Sequence, residues 1–161
     1  MMFVQRRRRR YRYWRIKSTA GSAIYCAIAE ARLKDSGGTN QIPTMTGGTT
    51  SGVTITESSK ETGSFDGWYI GNNVTTGGLP AVCWVSQNVP SYPEYVSIDF
   101  GSAKAIASLE LVAPDSTNNI YMPTAFQLLA SITGAFAGEE VTITSASGLS
   151  WTASEQKTYN F

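Results

Sequence analysis

The first feature able to do chemistry is a run of five arginines, Arg6, Arg7, Arg8, Arg9 and Arg10. With Arg12, Arg15 and Lys17 it gives residues 1–17 eight positive charges and no negative one. Consecutive guanidinium groups repel one another and pack into no core, so the plain reading of the run is a solvated tail. The chemical reading is recognition, because a guanidinium presents forked donors that match carboxylates and phosphates. Three partners follow: an acidic protein surface, a nucleic-acid backbone bound in a salt-dependent way, or a neighbouring copy of this chain. The last is available because residues 18–161 hold five cations (Arg32, Lys34, Lys60, Lys104 and Lys157) against all twelve acids, a net of −7. The whole-chain charge of +1 therefore describes neither part.

The remaining inventory points away from an enzyme. The chain has no His, which removes the usual general base, a common metal ligand and every Ser-His or Cys-His pair. No P-loop and no GxGxxG occurs. Cys26 and Cys83 are well separated and in no CxxC; one disulfide is arithmetically open, and two buried thiols is the plainer reading. Glu139 and Glu140 on a strand would point to opposite faces, which suits a charged edge better than an acid–base pair. Asn73-Val74-Thr75 is a glycosylation sequon that matters only in a eukaryotic secretory pathway. From Tyr11 to Ile16 aromatic residues interleave with arginines. Tyr11, Tyr13 and Arg15 fall on one face of a strand and Arg12, Trp14 and Ile16 on the other. Such interleaving can stack nucleic-acid bases; more often it marks a half-buried strand whose Arg stems cover apolar surface.

The elements that must position these residues read as β-structure. A chain of 161 residues and 17.4 kDa suits one domain. With 42% hydrophobic and 16% charged residues it is expected to fold. No apolar run approaches the ~18 residues of a membrane span, and no apolar segment of signal-peptide type follows the arginines. Strands are predicted over Tyr11–Ile16, Val53–Thr56, Ala81–Val85, Tyr95–Phe100, Ala105–Val112, Phe126–Ser131, Glu140–Ser145 and Thr158–Phe161. In Tyr95–Phe100, Val96, Ile98 and Phe100 share a face. Gly101 allows a tight turn after it. Residues 23–34 are ambiguous, since their Ala content favours helix while Ile28–Leu33 also reads as a strand. Gly, Ser and Thr dominate residues 36–64, as in an all-β protein with elaborate loops. About eight short strands with frequent turns predict an antiparallel β-sandwich or barrel over residues 11–161, behind a basic arm at 1–10.

The order of these pieces resembles the discoidin or coagulation-factor type C domain, the galactose-binding-like jelly roll. The matching segments are Tyr11–Ile16, Ile28-Ala29-Glu30, Phe65-Asp66-Gly67, Cys83-Trp84, Tyr95–Gly101, Met122–Phe126 and Trp151–Glu155, so the resemblance spans nearly the whole chain. It is similar to the versions in bacteriophage tail and virion proteins, which often begin with a RYWR strand. The resemblance implies an all-β, antiparallel jelly-roll β-sandwich of about eight strands with an extended basic N-terminal arm. It also resolves Ile28–Leu33 as a strand.

What the resemblance implies about function follows residue by residue. A structural calcium would use Asp66, after Phe65, and Glu155, near the C-terminus; Ca²⁺ takes about 6–8 oxygen ligands, so backbone carbonyls would supply the rest. Where the family commonly has Asn after Asp-Gly, this chain has Trp68. Carbohydrate-binding relatives stack a sugar on loop aromatics and bind its hydroxyls with amides. The candidates here are Trp68, Tyr69, Tyr92 and Tyr121, with Asn72, Asn73, Asn118 and Asn119. The implied role is that of a non-enzymatic virion component of a tail, baseplate, neck or capsid surface, assembled in the host cytoplasm. Arg6–Arg10 would anchor it to other virion proteins or to copies of itself, and a loop face would meet a host glycan. A free-standing carbohydrate-binding module is the alternative, and nucleic acid could be met through the arm.

Overall fold

Residues 9–76, 83–115 and 117–161 are described in a computed structural model of the chain. They form eleven strands: β1 Tyr11–Ala20, β2 Ala27–Ile28, β3 Glu30–Lys34, β4 Thr49–Thr50, β5 Val53–Glu57, β6 Trp84–Val85, β7 Glu94–Lys104, β8 Ser108–Val112, β9 Ala125–Ser131, β10 Val141–Ala146 and β11 Gln156–Asn160. Eight of these have five residues or more. The described residues contain no α-helix; Gly67–Gly71 and Thr117–Tyr121 form short 3-10 turns. Arg6–Arg8 and the first half of the predicted Ala81–Val85 strand lie outside the described residues.

All strand pairs are antiparallel. One sheet has six strands in the order β10-β9-β1-β7-β5-β4, a second has three in the order β11-β8-β3, and β2 pairs with β6. Alternation explains the layering. Trp14 and Ile16 of β1, Val96, Ile98 and Phe100 of β7, and Phe126 and Leu128 of β9 point inward from the large sheet. Ala31 and Leu33 of β3 and Leu109 and Leu111 of β8 join the same buried cluster from the small sheet. Two antiparallel sheets over one core are consistent with a β-sandwich. Each fully buried aliphatic side chain there contributes roughly 1.5–3 kcal/mol.

Four local expectations are corrected. Tyr11 does not share a face with Tyr13. The β1–β7 register slips between them, Tyr11 is buried with its ring edge-on to Trp14 at 5.9 Å, and Arg12 is left exposed; an irregularity in one strand re-aims the side chains before it. Ile28–Leu33 is not one strand: buried Ala29 separates β2 from β3, which belong to different sheets. Gly101 does not end β7. At φ 68 it carries the strand on to Lys104, and any Cβ would stand 2.8 Å from the Gly52 carbonyl oxygen. Consequently β8 starts at Ser108 rather than Ala105.

β1 also sets the long axis. Ten residues at ~3.3 Å each span about 30 Å. At one end Tyr11 pairs with Lys104; at the other Ala20 pairs with Ala125 and Ser18 with Glu94. The first end, where the expected arm would join, carries Arg9, Arg10 and Phe161; the second carries the loops around Tyr25, Tyr92 and Tyr121.

Candidate functional site

At the arm pole Arg9 and Arg10 are exposed and, among the described residues, form no ion pair. Arg9 stands at a hollow of about 320 Å³ between the sheets, lined by Tyr11, Trp14, Ile106, Val141, Ile143 and Phe161. Arg10 borders a polar hollow that includes Asp35, Gln41 and Lys104. The cations nearest the fold therefore leave it with their donors uncommitted to its carboxylates.

At the loop pole most of the sugar-binding candidates serve the loops themselves. Trp68 and Tyr69 stack on each other at 4.0 Å and 22°, and Trp68 packs against the core. The Tyr92 hydroxyl donates to the Ser22 carbonyl at 3.1 Å, and burial raises its pKa. A Cβ at Gly21 would collide with that hydroxyl, which ties the glycine to the ring. The Asn72 side-chain oxygen accepts from the Val74 N–H at 2.8 Å, and the Asn119 side chain donates to the Trp151 carbonyl at 2.6 Å. Asn73 offers its backbone N–H to Glu30 at 3.2 Å.

Tyr121 packs, with Tyr25 and Phe65, on a small buried cluster of Ala27, Ala29, Cys83 and Val85. Its ring meets Tyr25 edge-on at 5.4 Å, and both line a cleft of about 310 Å³ with Phe65, Val85, Glu61 and Asn118. The cleft has three aromatic rings, one carboxylate and one amide at a loop end. Sequence reasoning found Tyr121 and Asn118 and missed Tyr25, Phe65 and Glu61. Only pairing brings them together: β2–β6 sets Ala27 opposite Val85, and the Glu61 N–H donates to the Val85 carbonyl at 2.9 Å.

The carboxylates assigned to calcium are committed elsewhere. Asp66 precedes the first 3-10 turn but caps nothing; its carboxylate pairs with Lys60. Glu155 pairs with Lys157 and accepts the Thr152 N–H at 2.8 Å. Its hydrogen bond to Lys157 is the leading cause of a lowered pKa. Among the described residues no three His, Cys, Asp or Glu side chains gather as a metal would require. Asp66 and Glu155 are thus each paired with an ammonium, whereas calcium takes about 6–8 oxygens.

Other expectations meet specific geometry. Cys26 and Cys83 are buried free thiols, and burial pushes each up to about 12, so neither is poised as a nucleophile. Glu139 lies before β10 rather than on it, and its carboxylate accepts from Ser131, Thr133, Phe136 and Ala137. The Glu139–Glu140 pair is thus a loop knot, not a strand edge. No protein-family model matches the chain, and no curated protein matches it.

Proposed function

We propose that this chain is a non-enzymatic structural component of a bacteriophage virion, built as a discoidin-like jelly roll, with an extended Arg-rich arm that anchors it and a glycan-binding cleft at the opposite pole. The observation that carries the reading is the separation of the two surfaces along β1. Uncommitted Arg9 and Arg10 stand where β1 begins, and the Tyr25–Phe65–Tyr121 cleft lies beyond its end. A module used as a spacer or adhesive needs that separation, because its grip and its display must not compete. The forked donors of Arg6–Arg10 suit carboxylates on other virion proteins or on the acidic body of a second copy. Repetition of such a module would raise weak glycan contacts to useful avidity.

The test is to supply a tagged chain during particle production, whole or lacking residues 1–10. The whole chain is expected in purified particles. The truncated chain is expected to fold as a monomer and stay out of them. Normal entry of the truncated chain would overturn the anchoring role. The aromatic cleft also favours a second reading, a free-standing carbohydrate-binding module; that reading requires glycan retention by the isolated chain and no particle association with or without the arm.

A further inference from the structure

The outer face of the large sheet holds a third hollow, remote from the loop cleft. β1 contributes Tyr13 and Arg15, β7 contributes Ser97 and Asp99, and β5 contributes Thr54 and Thr56. The segment between β9 and β10 folds over this face as a strap. Gly134 lies against the Tyr13 ring so closely that a Cβ would stand 2.8 Å from it. The Phe136 ring covers the Arg15 guanidinium at 4.0 Å, and the Tyr95 ring lies 3.8 Å from the same group. Phe136 has φ 50, a left-handed conformation that a bulky residue adopts only when its surroundings impose it. Here Glu139 imposes it by accepting the Phe136 and Ala137 N–H groups together with two hydroxyls.

The charges on this face are unequally matched. Asp99 takes both prongs of Arg12, at 2.7 and 2.9 Å. Arg15 gives its Nε to the Ser97 hydroxyl at 2.8 Å but, among the described residues, forms an ion pair with no carboxylate. Burial lowers its pKa against the weaker pull of Tyr95, Glu140 and Glu139. Glu139 is occupied by the strap, and Glu140 accepts the Gly138 N–H at 2.8 Å. The guanidinium is half-buried between two aromatic rings, and the nearby carboxylates of Glu139 and Glu140 attract it from a distance while bonding to the strap rather than to it; among the described residues it makes no direct carboxylate contact, the kind a guanidinium fork is shaped to make.

We propose that this hollow binds one acidic sugar residue, its carboxylate on Arg15 and its hydroxyls among Thr54, Thr56 and Ser97. The volume of about 260 Å³ takes a single ring rather than a chain. A neutral sugar would keep the hydroxyl contacts and lose the charge-assisted pair. A small carboxylate such as acetate would keep the pair and lose the hydroxyls. The site stands apart from the loop cleft and from the arm, so it does not depend on the reading given above.

The experiment is a titration of the ¹⁵N-labelled full chain with D-glucuronate, D-glucose and sodium acetate, followed by amide chemical shifts. Saturable shifts at Thr54, Thr56, Ser97 and Gly134 are expected with glucuronate, at affinities about tenfold or more above glucose and acetate. Arg15→Lys keeps the charge but loses the fork and is expected to weaken glucuronate about tenfold. Thr56→Val leaves the Arg15 stack intact and is expected to weaken it severalfold, which keeps the test decisive if Arg15→Lys disorders the strap. Equal response to glucose or to acetate would overturn the proposal, as would no saturable shift on this face. Shifts confined to Tyr25 and Tyr121 would support the loop cleft and overturn this site.

Discussion

The two poles of the sandwich use the same residue types for opposite ends. At the arm pole Arg9 and Arg10 form no ion pair among the described residues, although Arg12 beside them is paired with Asp99, and the apolar groups line an open hollow, with Arg9 beside Trp14, Ile106 and Phe161. At the loop pole nearly every aromatic or amide side chain is spent on its neighbours: Tyr92 on Ser22, Asn119 on Trp151, Trp68 on Tyr69. One cleft between Tyr25, Phe65 and Tyr121 remains open there. An aromatic in a long Gly-rich loop is thus first a means of ordering that loop, and only what is left over can meet a ligand.

The heaviest way to break this comparison is through the core that both poles share. Trp14→Ala beside the arm and Trp84→Ala beside the loops each remove a fully buried ring; each is expected to cost about 3–5 kcal/mol in urea unfolding. Similar losses would show one cooperative unit. A loss near zero for Trp84→Ala would show that the loop pole does not share in it.

The next effect separates the poles by pH. Glu30 is buried near the loop end of β3, beside Arg32 and the Asn73 N–H, and burial pushes its carboxyl up to about 8. The folded state therefore holds this proton more tightly than the unfolded state. The associated stability is complete below the ordinary Glu range and is lost as pH rises toward about 8. Melting temperature is expected to fall over that interval, and Glu30→Gln is expected to abolish most of the fall, worth on the order of a few kcal/mol. An unchanged slope in Glu30→Gln would refute the assignment.

Much of the frame was legible because alternation is a one-dimensional signal. Val96, Ile98 and Phe100 announce a face, and β7 buries that face. What alternation cannot register is a slip, so it places Tyr11 on the wrong side. Nor can it register a change of sheet inside an apolar run, so Ala29 was read through. The cleft was half legible. Tyr121 sits in a recognisable loop, but Tyr25 comes from one distant segment and Glu61 and Phe65 from another, joined by the β2–β6 pairing and the Glu61–Val85 hydrogen bond. Arg15 looked like one more arginine covering a strand; its rings come from Tyr95 and from a strap more than a hundred residues later in the sequence.

Smaller effects sharpen the contrast. Tyr92→Phe removes one hydrogen bond to Ser22 and is expected to cost about 1 kcal/mol. It should loosen the amides of residues 21–25 in hydrogen exchange and leave Tyr11–Trp14 untouched. The smallest expected effect is that of calcium. With Asp66 and Glu155 matched to Lys60 and Lys157, millimolar calcium after chelation is expected to leave the melting temperature unmoved. A rise of several degrees would show that a calcium site forms despite those pairings.

The proposed division of labour between the poles is measured most directly by competition during assembly. Differently tagged chains, one whole and one altered, are supplied together and their ratio in purified particles is read by mass spectrometry. The account predicts that Tyr121→Ala enters as well as the whole chain while a chain with Arg6–Arg10 replaced by glutamine is excluded. Equal entry of both altered chains, or exclusion of Tyr121→Ala alone, would contradict it.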